Sequence, residues 1–144
     1  VEKDMAMTIR VDIVSAENEL YSGLAEMVFA PAEMGEVGIA PRHAPLITKL
    51  KPGEVRVKIS DTETLDFYVS GGLLEVQPHV VTVLADTAIR ARDLDEAAAL
   101  QAKARAEEML SDKSGKYDLA KAQADLAQAI IQLRTLDRLR KRAS

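Results

Sequence analysis

Ile9, Val11 and Ile13 alternate with Arg10 and Asp12. A period of two predicts a strand with one buried face. Residues 24–30 read as a second strand stopped by Pro31, and residues 35–40 as a short strand between breakers. Residues 46–50 and 54–59 flank Lys51-Pro52-Gly53, a turn signal. Val55, Val57 and Ile59 alternate with Arg56 and Lys58. Residues 65–69 follow the polar turn 61–64, residues 73–76 follow Ser70-Gly71-Gly72, and residues 80–84 follow Gln77-Pro78-His79. Strands this short, with turns this regular, predict a sandwich or barrel.

Near Asp86 the pattern changes. No proline follows Pro78, the only glycine after Gly72 is Gly115, and alanine dominates. Asp93 followed three residues later by Glu96 reads as a capping box opening a helix over residues 93–110. Residues 111–116 form a loop, and a second helix runs over 117–141, roughly 37 Å at the α-helical rise. Leu119, Leu126 and Leu133 recur every seven residues, with Ala122, Ala129 and Leu136 between them. That stripe predicts a narrow seam against one partner helix. Leu94, Ala98, Ala102 and Met109 are the expected seam of the first helix. Alanine faces let helices approach to about 8 Å. They bury little apolar area, so the hairpin is expected to detach easily from the β domain.

The predicted class is therefore α+β: an N-terminal antiparallel β-sandwich, residues 1–90, followed by a C-terminal antiparallel two-helix hairpin, residues 91–144. Hydrophobic residues make up 47% of the 144, enough for a packed core. Aromatic residues are 3% and the net charge is -4, which argues against a base-stacking or generally nucleic-acid-binding surface. Without cysteine there are no disulfides or thiol nucleophiles. No apolar run reaches the roughly 20 residues a spanning helix needs. The start has no apolar signal region, and Met5 reads as the natural first residue.

Against this acidic background the chain ends in a basic segment. Arg134, Arg138, Lys141 and Arg142 fall on one helical face, with Arg140 among them. One reading is a solvated face with cations suited to a helix C-terminus; the other is a docking surface for an acidic partner. In an antiparallel hairpin this end returns to Asp93, Asp95 and Glu96, whose carboxylates can hold the arm folded. His43, in the loop Pro41-Arg42-His43-Ala44-Pro45, and His79 share no metal-ligand spacing. Gly35, Gly38, Gly71 and Gly72 lack the phosphate-loop pattern and read as turns. Glu107-Glu108 sit on a surface helix with nothing to tune them. No catalytic set, cofactor site or metal site emerges.

The ordered blocks of the chain resemble the epsilon subunit of bacterial F-type ATP synthase, from about Met5 to Lys141. They include Asp12-Ile-Val-Ser-Ala-Glu17, Gly35-Glu-Val-Gly-Ile39, His43-Ala-Pro-Leu46 and Lys51-Pro-Gly53. The most specific are residues 70–78 and 81–88, and residues 129–134 close the match. The resemblance implies a non-catalytic central-stalk subunit, peripheral on the cytoplasmic side of the bacterial inner membrane, in a complex that couples proton transport to ATP synthesis. It implies a sandwich that binds the gamma subunit and rests on the c-ring, with His43, Ala44, Pro45 and Leu46 facing gamma. It also implies helices that extend toward the alpha and beta subunits and inhibit ATP hydrolysis, with Arg134, Arg138, Arg140, Lys141 and Arg142 on the basic face.

Two departures stand out. Some members bind ATP through [IL]-D-x-x-R-A; here Leu94-Asp95-Glu96-Ala97-Ala98-Ala99 places Ala98 where the arginine belongs. Loss of a guanidinium removes a charge-assisted contact, so ATP binding near Asp95 is expected to be weak or absent. A nucleotide-sensing module is the alternative function. The second departure is Arg42, where related loops commonly have glycine before the histidine.

Overall fold

The structure is a computed structural model that describes residues 8–115 and 117–143. Met5 lies outside the described residues, as do the side chains of Arg142 and Ala143. The chain separates into two compact units, Val1–Arg90 and Ala91–Ser144.

Among the described residues the first unit holds ten strands: β1 (Ile9–Ser15), β2 (Glu19–Ala25), β3 (Met27–Ala32), β4 (Gly35–Ile39) and β5 (Leu46–Leu50), then β6 (Gly53–Lys58), β7 (Thr64–Val69), β8 (Gly72–Val76), β9 (Val80–Ala85) and β10 (Ala88–Arg90). They hydrogen-bond in the order β10-β7-β6-β3-β5-β8-β9-β1-β2, with β4 on β3. Ala32↔Leu50 is the single register pair of β3 with β5 among the described residues, and the Glu33 N–H donates to the Lys49 carbonyl at 2.9 Å beside it. Every pairing is antiparallel except β1 with β9, which is parallel. Alternation drives the core: Val11, Ile13, Val28, Val55, Val57, Phe67, Val69, Leu74, Val81 and Val83 are all buried between the layers.

Two strand expectations need correction. The segment 24–30 is not one strand; β2 ends at Ala25 and β3 begins at Met27. Glu26 sits at the break, its N–H donating to the Lys58 carbonyl at 2.8 Å. Pro31 does not stop β3 but lies inside it. Lacking an N–H, it contributes its carbonyl, which accepts from Lys51 at 2.8 Å.

In the second unit a single 3-10 turn, Ala91–Asp93, precedes α1 (Glu96–Ser111) and α2 (Leu119–Ala143). Asp93 does not cap α1. Asp95 does, with extended backbone and a carboxylate that accepts the Ala98 N–H at 3.2 Å. Asp118 caps α2 in the same way, accepting from Ala120 at 3.0 Å and Lys121 at 3.2 Å. The two helices pack on each other. The α1 seam also differs from expectation: Ala98 and Ala102 are exposed, and Ala99 and Ala106 are buried. On α2, Ala122 and Ala129 are buried as the stripe requires, while Leu119 at its start stays 51% exposed.

Candidate functional site

The sandwich presents the loop between β4 and β5. Arg42 there has φ 64°, the only positive value at a non-glycine position among the described residues. Its N–H donates to the Pro78 carbonyl at 2.8 Å, tying the loop to the β8–β9 turn. That turn is itself closed by Gln77 and Val80, whose N–H groups each donate to the other's carbonyl, at 2.8 and 3.3 Å. The His43 N–H donates to the Ala40 carbonyl at 3.2 Å, and its Nδ1 lies 2.8 Å from the Ala44 carbonyl. The Nδ1-protonated tautomer makes that contact a hydrogen bond and leaves Nε2 as an acceptor. Ala44 and Pro45 are exposed, His43 is half-buried, and Leu46 packs against the core. The loop thus offers a small apolar tip on a hydrogen-bonded base.

Beside it runs an apolar row that the sequence reading did not single out. Ile47 on β5 is 72% exposed, and Leu73 on β8 and Leu84 on β9, direct partners across the sheet, are each 44% exposed. Lys49 stands opposite Leu73, and Glu75 opposite Ile47. Alternation within β5 carried the signal: Leu46 and Leu50 turn inward, which forces Ile47 outward.

The basic helix end is built differently. Arg134, Arg138, Arg140 and Lys141 are exposed, and Arg142 has no described side chain. Lys141 pairs with Asp137 one turn back at 3.2 Å. Arg140 Nη2 pairs with Glu96 Oε1 in the first turn of α1. The hydrogen bond to Glu96, and then its charge, raises the Arg140 pKa further above an already high value. Of the three carboxylates expected to meet this end, Glu96 does so; Asp95 caps α1, and Asp93 lies 4.0 Å from Arg92. At the ATP-motif position, Asp95 and the exposed Ala98 offer no cation. Among the described residues no group of three His, Asp or Glu could hold a metal ion, and no helix is long and apolar enough to cross a membrane.

The two units correspond to two family models. Residues 8–91 match the beta-sandwich domain of the ATP synthase delta/epsilon chain, and residues 92–137 its long alpha-helix domain. The chain belongs to the ATP synthase epsilon chains. It is 69% identical to the ATP synthase epsilon chain of Nitrosococcus oceani over 96% of its own length and 99% of that protein's. It is 64% identical to ATP synthase epsilon chain 1 of Methylococcus capsulatus, over 95% and 98% of the two lengths. Its fold matches a chain of the Euglena gracilis mitochondrial ATP synthase, with a TM-score of 0.70, 17% identity and coverage of 96% and 82%. A chain from the Tetrahymena thermophila central stalk and c-ring matches with a TM-score of 0.59 at 11% identity, covering 89% and 96%.

Proposed function

We propose that the chain is a non-catalytic coupling and regulatory subunit of a proton-translocating ATP synthase. One observation carries this reading: both family domains occur in order, each on its own compact unit, at high identity to epsilon chains across nearly their whole length. The sandwich docks on the gamma subunit through His43, Ala44, Pro45 and Leu46 and the adjoining Ile47, Leu73 and Leu84. The apolar row supplies area that association can bury, and the bonded loop supplies a preformed edge. The same unit rests on the c-ring and transmits rotation. The complex lies at the cytoplasmic side of the bacterial inner membrane, and the chain attaches peripherally.

The helical hairpin restrains ATP hydrolysis. Its basic end, Arg134, Arg138, Arg140 and Lys141 with Arg142 beyond, suits acidic surfaces on the alpha and beta subunits. In this reading the bond-breaking chemistry belongs to the partner subunits, and the chain acts on it through its contacts.

The test is reconstitution. Vesicles carrying an ATP synthase lacking its epsilon chain are energised by a proton gradient, and ATP synthesis is measured with and without this chain. Restored synthesis, with the chain recovered in the complex, supports the assignment. A chain that fails to incorporate overturns it.

A further inference from the structure

Two rows of residues run along the hairpin at alternating spacings of three and four. On α1 they are Glu96, Ala99, Lys103, Ala106 and Leu110; on α2 they are Leu119, Ala122, Leu126, Ala129, Leu133, Leu136 and Arg140. This is the spacing of a helix–helix seam. Both rows carry a charge at the end farthest from the connecting loop: Glu96 opens α1, and Arg140 lies in the closing turns of α2. The seam position after Leu136 is therefore an arginine, and it is bonded across the hairpin to Glu96.

We propose that Glu96 and Arg140 form the clasp of the hairpin, and that Glu96 is the internal competitor an acidic partner surface must displace to reach Arg140. The seam's composition gives the ends their weight. Its fully buried members Ala99, Ala106, Ala122 and Ala129 remove little apolar area, so the terminal ion pair adds to a seam closed otherwise mainly by the half-buried Leu110, Leu126, Leu133 and Leu136. The pair is also reversible. The Arg140 side chain is 60% and that of Glu96 48% exposed, so water and salt compete for both. Asp137, whose charge also acts on Arg140, engages Lys141 at 3.2 Å. The clasp stands on geometry alone; the competitor role rests on the inhibitory reading above.

Amide hydrogen exchange on the full chain tests the clasp, using Glu96→Gln, Arg140→Gln, the double variant, and the exchange Glu96→Arg with Arg140→Glu. Each neutral single variant is expected to speed exchange at both the first turn of α1 and the last turns of α2, by about 1.5- to 5-fold. The double variant should exchange no faster than the faster single. The charge swap should exchange more slowly than either reversal alone. Effects confined to the mutated helix, or adding fully in the double variant, overturn the clasp. ATP hydrolysis by the assembled complex tests the competitor. Glu96→Gln is expected to inhibit more strongly than the parent chain, and the charge swap less. Coupled exchange with inhibition unchanged by Glu96→Gln overturns the competitor role and leaves the clasp standing. No inhibition by the parent chain overturns the regulatory reading and the competitor role together, while the exchange result still decides the clasp.

Discussion

The N–H of Arg42 donates to the carbonyl of Pro78 at 2.8 Å while Arg42 holds φ at 64°. The bond fixes the loop that carries His43, and the left-handed backbone is the conformation it requires. For a residue with a Cβ that conformation costs about 1–2 kcal/mol. Arg42→Gly is therefore expected to stabilise the chain by up to about 1 kcal/mol, glycine's extra freedom in the unfolded state offsetting part of the gain. Urea unfolding checks this. A destabilised Arg42→Gly would mean that the arginine side chain contributes more than the backbone strain costs.

Tyr68 is buried, its hydroxyl has no hydrogen-bond partner among the described residues, and burial pushes its pKa up to about 12. The folded chain thus keeps a proton that the unfolded chain gives up near pH 10. Tyr68 contributes no pH dependence below about 10; stability then falls from pH 10 to about 12 as the unfolded state ionises first. Tyr68→Phe should flatten that alkaline loss and be neutral or stabilising at pH 7, because it removes an unsatisfied hydroxyl. Melting temperature against pH, for both proteins, is the measurement.

Gly72 and Gly35 separate strain from collision. Both have positive φ, 142° and 132°, but a Cβ on Gly72 would stand 2.1 Å from the Leu84 carbonyl oxygen, and one on Gly35 meets nothing within 4 Å. Gly35→Ala is expected to lose about 1–3 kcal/mol from strain alone. Gly72→Ala should lose clearly more and disturb the Leu73–Leu84 pair. Equal losses in chemical unfolding would contradict this packing.

The buried alanines define the hairpin seam. Ala129→Leu, at a position 2% exposed, should cost about 1–3 kcal/mol by forcing the helices apart. Ala98→Leu, on the exposed side of α1, should change stability by less than about 0.5 kcal/mol. Helical thermal melts of the full chain distinguish the two. A cost for Ala98→Leu as large as that for Ala129→Leu would restore the α1 seam expected from sequence.

That seam shows where legibility ended. Ala97, Ala98 and Ala99 are chemically identical, so periodicity could not tell which faces the partner helix; only the packed backbone does. The strands were legible where branched residues alternate, as at Val55 and Val57. Strand β2 was missed because Ser22 and Gly23 interrupt its pattern, and β10 because three residues are too few to show a period. Arg42 could be singled out only through the family resemblance, since its strain is a property of the backbone. The Arg140–Glu96 pair was legible in outline, from charge and antiparallel geometry, but the choice among Asp93, Asp95 and Glu96 needed the cap at Asp95.

The nucleotide question has a direct check. With Ala98 at the motif position and the Asp95 carboxylate capping α1, calorimetric titration of the free chain with ATP should show no micromolar binding. A micromolar isotherm would favour the nucleotide-sensing reading.

The central claim is that the helical unit is an inhibitory arm on a coupling scaffold. It is tested most directly by ATP hydrolysis of the catalytic complex reconstituted with the full chain or with a chain ending at Arg90. The account predicts that both incorporate and that only the full chain slows turnover. Equal turnover after confirmed incorporation would contradict it.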